Sequence, residues 1–226
     1  MSFDRKLLKD HAKQMLKKNY WPMVIAALVL MVSTGTFEMN YSYKGPDVAE
    51  SLSETDSLIV LFGLIVGILV TLFVLHPLEY GASKFFVKNI DDEGNGTLLD
   101  GFRGDELTRS AFTLFYRNLM IGLFTFLLII PGIIKAYEYY FVPQLMAEHP
   151  ELSGRDICRL SKDMTRGHKM DLFVLDLSFI LWTIATSATF GLVGIFYFYP
   201  YKAQVQALAY RDLVLQGADP SRPDGI

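Results

Sequence analysis

The chain has 226 residues, 51% of them apolar, with a formal net charge of −3 and a mean hydropathy of +0.28. That charge excludes the basic footprint of a nucleic-acid-binding protein. The lone cysteine, Cys158, excludes an internal disulfide, has no metal-ligand companion, and reads as an inert thiol.

The apolar residues gather into four uncharged blocks: Asn19–Phe37, Ser57–Leu75, Asn118–Ile134 and Leu177–Tyr201. Each approaches or exceeds the ~20 residues with which a helix crosses a ~30 Å hydrocarbon layer. None has the polar face of a soluble core helix. The expected class is an all-α integral membrane protein of about six transmembrane helices as three hairpins, plus amphipathic interfacial helices. Three regions are expected: a cytoplasmic amphipathic helix over 1–18, a polytopic membrane domain over 19–213, and a disordered tail over 214–226.

In the first segment Phe3, Leu7, Leu8, Ala12, Met15 and Leu16 form one broad stripe. Lys6, Lys9, Lys13 and Lys17 cover the opposite side, while Arg5 and Lys18 intrude on the apolar one. Such a helix suits an anionic membrane surface; the alternative is a solvated helix packed on the protein's own loops. The charged segment is long and helical in period, and the block after it is too long for the apolar core of a cleavable signal. Trp21 follows at the position of an interfacial anchor.

Span one leads to Gly35–Asp56, where Glu38, Asp47, Glu50, Glu54 and Asp56 face only Lys44. Span two returns to Tyr80–Arg109, with Lys84, Lys88, Arg103 and Arg109. The positive-inside bias places the N-terminus in the cytoplasm and the acidic segment outside. Gly63 and Gly67 in span two form a GxxxG, which implies close helix packing within the chain or in a dimer. Span three is centred on "LMIGLFTFLLII". The next charge-rich stretch, Glu151–Lys169, is basic, so "PGIIKAYEYYFVPQLMA" is expected to cross inward, with the break at Pro131-Gly132. Lys135 and Glu138 are spaced to pair at i,i+3.

Ser153-Gly154-Arg155-Asp156 resembles a capping box with Asp in place of Glu, opening a cytoplasmic helix. Leu177–Tyr201, longer than one span and containing Gly191 and Gly194, reads as a hairpin of helices from about Asp171 to Thr189 and from Leu192 to about Arg211. A single tilted helix is the other reading. The hairpin returns the C-terminus to the cytoplasm.

The return helices "LHPLEYGASKFF", "IIPGIIKAYEYYF" and "FYPYKAQVQALAY" share a proline followed by charges and a small alanine, which suggests three helical hairpins. If these pack around one axis, their polar residues converge. His76, Tyr80 and Lys84 share a face, as do Lys202 and Gln206. Lys135, Glu138, Asp176, Lys202, His76 and Glu79 are therefore the candidate polar intramembrane site. Charged groups inside a membrane are functional candidates by default. The competing explanation is that they tie helices together through hydrogen bonds worth about 1 kcal/mol each.

The motifs Pro131-Gly132-Ile133-Ile134-Lys135-Ala136-Tyr137, Glu148, Pro150, Ser161, Met164, Gly167 and Lys169 continue into Phe173-Val174-Leu175-Asp176-Leu177-Ser178-Phe179, Trp182 and Pro200-Tyr201. With the opening "AKQMLKKNYW", this order resembles a bacterial multi-pass membrane family known as domain of unknown function 975. The layout is also distantly similar to the membrane region of some glycerophosphodiester phosphodiesterases. The resemblance implies a cell-membrane protein and supplies no catalytic residues.

No nucleophile–base pair, phosphate loop or His-rich metal cluster stands out. "DDEGNGTLLDGF" resembles a calcium loop but has Phe102 at its twelfth position, where glutamate is required. No metal or cofactor is expected, and no enzyme. The functional expectation is a polar intramembrane face handling a lipid, amphiphile or small solute. The alternative is a scaffold or accessory subunit docking another membrane protein. Partners are the lipid bilayer and one of these, with no nucleic acid.

Overall fold

The computed structural model describes residues 4–34, 54–91 and 97–216, and among these it is helical throughout, without strands. Most of the acidic segment Gly35–Asp56, the centre of the calcium-like loop and residues 217–226 of the expected tail lie outside the described residues. The helices are α1 (Arg5–Lys18), α2 (Tyr20–Ser33), α3 (Glu54–Val70), α4 (His76–Lys88), α5 (Asp105–Leu127), α6 (Ile129–Glu138), α7 (Val142–Glu148), α8 (Gly154–Met164), α9 (Lys169–Leu177), α10 (Ile180–Ala188) and α11 (Tyr199–Leu215).

At five of the ten junctions between them, a proline stands in the first turn of the following helix. A proline ring clashes with the carbonyl four residues earlier and offers no N–H to it, so the helix must stop or slip just upstream. Pro22 stands four residues after Lys18, where α1 ends and the chain bends by 111° into α2. Pro131 stands four after Leu127, the last residue of α5. The next residue, Leu128, is extended (φ −158°, ψ 136°). Pro143 follows the turn that separates α6 from α7. At Pro77 and Pro200 the helix continues but slips register instead. A π-turn over Thr71–Leu75 leads into α4, and another over Gly194–Phe198 leads into α11. In each the following amide reaches back five residues, His76 to the Thr71 carbonyl and Tyr199 to the Gly194 carbonyl.

This corrects two expectations. The turn that ends the third expected span falls at Leu128, within the third block, not at Pro131-Gly132. Pro131 instead occupies the first turn of α6, where its missing N–H costs nothing. The threefold proline pattern holds in structural detail for Pro77 and Pro200 only.

From Leu128 the chain runs back along α5. Gly132 abuts Thr125 at one end, and Arg109 donates to the carbonyls of Leu152 and His149 at the other. A second reversal, at Thr189–Gly191, makes Leu177–Tyr201 a hairpin and not one tilted helix. Across it, the Trp182 and Tyr197 rings lie 5.0 Å apart.

The packed core joins α1, the first half of α2, α4, α7, α8 and α11. It is built on Met23, Tyr80, Phe86, Phe141, Leu145, Ile157, Met164 and Tyr210. The apolar stripe of α1 (Leu8, Ala12, Leu16) is buried in this core, with α11 as its main neighbour, so it is the protein itself that covers this face. Trp21 is exposed beside it.

Elsewhere the burial pattern inverts. The outer parts of α3, α5, α6 and α10 present apolar side chains outward, reaching 92% exposure at Phe126 and 99% at Phe190. By length and composition, 3 helices among the described residues can cross a membrane: Leu61–Asp91, Asp105–Leu127 and Lys169–Ala188. The number is 4 if the bent pair α1–α2 counts as one span. Six full-length spans are not seen there, because α6 has 10 residues and α2 has 14.

Candidate functional site

The six expected site residues fall into three clusters, not one ring. In the first, Lys135 Nζ lies 2.7 Å from Glu138 Oε2, the pairing that their spacing implies. Lys169 Nζ takes the other carboxylate oxygen at 2.8 Å, so Glu138, only 7% exposed, is held between two cations. The Glu138 carbonyl accepts from the buried Ser161 hydroxyl at 2.9 Å. Lys135 also sits over the rings of Phe124 and Tyr139.

The second cluster lies where α9 meets α11 and the Tyr137–Tyr140 segment. Asp176 accepts from Tyr137 at 3.3 Å and from Tyr140 at 3.2 Å, and Lys202 Nζ stands 3.4 Å away. Gln206, one turn beyond Lys202, donates to the Tyr140 oxygen at 2.8 Å. The Asp176 and Lys202 side chains keep 23% and 33% of their surface exposed, which makes this pair more open than the Glu138 cluster. Lys169 and Asp176 are seven residues apart, two turns along one face of α9, so a single helix face serves both clusters.

The third cluster is at the head of α4. Glu79 pairs with Arg117 at 2.8 Å, and both are largely buried. His76 Nδ1 lies 3.1 Å from the Ala111 carbonyl, and its Nε2 lies 3.2 Å from Asn118 Nδ2. A carbonyl only accepts and an amide nitrogen only donates, so both contacts fit a neutral imidazole carrying its proton on Nδ1. This is an orienting arrangement, not a poised base.

The sequence reading missed Lys169, Arg117, Asn118, Tyr137 and Tyr140, along with two further buried networks. In one, Asn89 bridges Asn19 (2.7 Å) and Gln204 (2.9 Å), tying the α1–α2 junction to α4 and α11. In the other, Glu148 meets Arg211 at 3.2 Å and the Tyr210 hydroxyl at 3.0 Å. Asn19, Asn89 and Gln204, amides beside apolar runs, were the available signal for the first of these.

Several other motifs now have a place. Ser153 caps α8, accepting from the Asp156 amide at 3.3 Å. Gly63 and Gly67 have nothing within 4 Å of a Cβ built on either, so the GxxxG closes no helix contact within the described chain. Among the described residues no cluster of His, Cys, Asp and Glu could hold a metal ion.

Cys158 is buried in α8, and burial pushes its thiol up to about 11. An unfolded thiol titrates near ~8.5. In that window the unfolded chain loses a proton that the native chain keeps, so this group lowers stability as pH rises from about 8.5 to about 11. The thiol is expected to resist a maleimide at pH 7.5 in the native protein and to react on denaturation. Fast native labelling, followed by mass, would contradict the buried site.

Residues 108–216, a little under half of the chain, match the model of a family described as protein of unknown function (DUF975). Neither a curated protein nor a solved structure matches the chain.

Proposed function

We propose that the protein is a non-enzymatic integral membrane protein of the cell membrane and a member of the matched family along its whole length. Its Asp176–Lys202 seam handles a lipid head group, an amphiphile or a small polar solute. The supporting observation is the inverted burial pattern. Phe126 and Phe190 face outward almost completely, while Glu138 and Glu79 are buried and ion-paired. Hydrocarbon is the medium in which apolar groups face outward and charges pair inward. The basic Glu151–Lys169 stretch and the cationic α1 set the cytoplasmic side, and both termini lie there.

Asp176 and Lys202 are the best placed of the candidate charges to meet a ligand. They are partly open, offer both signs of charge, and are flanked by tyrosines. The Asp176→Asn, Lys202→Met double variant is expected to fold and insert normally. Its co-purifying lipid or amphiphile, measured by mass spectrometry, should fall about tenfold, corresponding to about 1.4 kcal/mol of lost contact. An unchanged profile sinks this site.

The second reading is a scaffold or accessory subunit. It draws support from the fact that Lys135, Glu138, Asp176, Lys202, His76 and Glu79 all find partners within the chain. A stoichiometric co-eluting protein, with no reproducible lipid, would favour it.

A further inference from the structure

We propose that two of the hairpins, α5–α6 and α10–α11, enter the bilayer from the face of their charged bases and turn back inside it. They would then occupy the acyl chains of one leaflet instead of crossing both. This rests on the membrane reading above and makes its topology more specific.

The polar boundary is fixed by α1. This helix carries Arg5, Lys6, Lys13 and Lys17, all exposed, with Lys9 half-buried, and so cannot lie in hydrocarbon. Its Lys9 Nζ reaches the Ser178 hydroxyl at 2.7 Å, so Ser178 sits at the level of the aqueous interface. The Asp176–Lys202 pair closes the base of the same hairpin at 3.4 Å. From Ser178 to Phe190 the helical rise is about 18 Å, at about 1.5 Å per residue. For the other hairpin, Arg117, Asn118 and Lys135 mark the base, and Asn118 to Leu128 rises about 15 Å. A hydrocarbon core is about 30 Å thick. Each hairpin therefore reaches about the bilayer midplane.

The tips are apolar, as that depth requires. Phe126, Leu127, Leu128, Ile129 and Ile130 are five consecutive exposed apolar residues at the first turn, and Phe190 and Leu192 flank the second. No charged residue lies between Asn118 and Ile134 or between Leu177 and Tyr201. The α2–α3 connection contrasts with both, because its sequence holds the acidic Gly35–Asp56 segment.

The backbone of the second turn is also closed on itself. Phe190 N–H donates to Ser187 O, Gly191 N–H to Thr186 O and Leu192 N–H to Thr189 O. Val193 N–H donates to Thr189 Oγ1 and Ile195 N–H to Gly191 O. A turn inside hydrocarbon has no water to satisfy these amides, so internal pairing is what permits it. Phe190 holds a left-handed backbone (φ 51°) that glycine would adopt more easily, and it presents its whole ring to the surroundings.

Single cysteines at Leu128 and Phe190, in a Cys158→Ala background, would carry nitroxide labels in the full-length protein reconstituted in phosphatidylcholine–phosphatidylglycerol vesicles. Accessibility to oxygen and to a water-soluble nickel chelate then gives depth. The expected result is high oxygen and minimal nickel accessibility at both tips, about 15–18 Å from the interface. Nickel-accessible tips would mean complete crossings and overturn the proposal. Tips shielded from both reagents would mean burial against a second copy, which also overturns it. In intact cells, impermeant maleimide at Asp47→Cys and Lys162→Cys should report opposite faces. If those two label from the same side, the membrane topology fails, while the depth at the tips is read independently.

Discussion

Replacing Glu138 with glutamine is expected to lower stability by about 2–4 kcal/mol, because it leaves two lysines facing one another around a neutral group. Breaking a buried ion pair by removing one partner typically costs about 3–5 kcal/mol. The lower range applies because Lys135 and Lys169 keep 19% and 31% of their side-chain surface exposed and regain some solvation. Lys169→Met should cost less, since Glu138 keeps Lys135 at 2.7 Å. Thermal unfolding of the detergent-solubilised protein, followed by helical circular dichroism, orders the two. A Lys169→Met variant less stable than Glu138→Gln would show that the carboxylate is not the centre of the cluster.

Gly81→Ala is expected to cost about 1–3 kcal/mol, the usual range for overpacking, and to loosen the turn that packs on α4. A Cβ on Gly81 would lie 2.0 Å from the Leu98 carbonyl oxygen and 2.7 Å from its carbon. One on Gly101 would lie 2.1 Å from the Pro77 oxygen, so the two backbones interlock from both sides. The obstacles are main-chain atoms, which no rotamer change can move. The turn also supplies Asp100, which pairs with Lys84 of α4 at 3.2 Å. Limited proteolysis near Arg103 should therefore accelerate with the loss of thermal stability. Gly63→Ala and Gly67→Ala, where a Cβ meets nothing within 4 Å among the described residues, should cost nothing and gain at most about 1 kcal/mol, the amount by which a helix interior favours alanine. Equal effects at Gly81 and Gly63 would remove the close-approach argument.

Helical class was legible because the apolar blocks are long and uncharged, and helices are the only open-chain way to satisfy their backbone in an apolar setting. The Lys135–Glu138 pair was legible because three residues on a helix bring two side chains together. Lys169 was not, since its contact with Glu138 depends on how α6 and α9 pack, and no local spacing encodes that. The same holds for Arg117 with Glu79 and for Asp176 with Tyr137 and Tyr140. The α5–α6 reversal lies three residues before the Pro131-Gly132 position that the sequence pattern predicts, because a proline does not itself mark the break. Its clash acts on the preceding turn, so the signal was present but offset. Pro77 and Pro200 show the milder outcome of that clash, a slipped register, which sequence alone does not distinguish from a full stop.

The uncharged turns at Leu128 and Thr189–Gly191 also bear on how the chain is made. Whatever depth they reach, neither turn asks the insertion machinery to drag an ionised group through oil. On the proposed topology, the only stretch between its apolar blocks that would have to be exported is the acidic one between the first two. Under that topology a nascent chain would settle its orientation once, early in synthesis, and add the remaining pairs of helices from one side as each emerges from the ribosome.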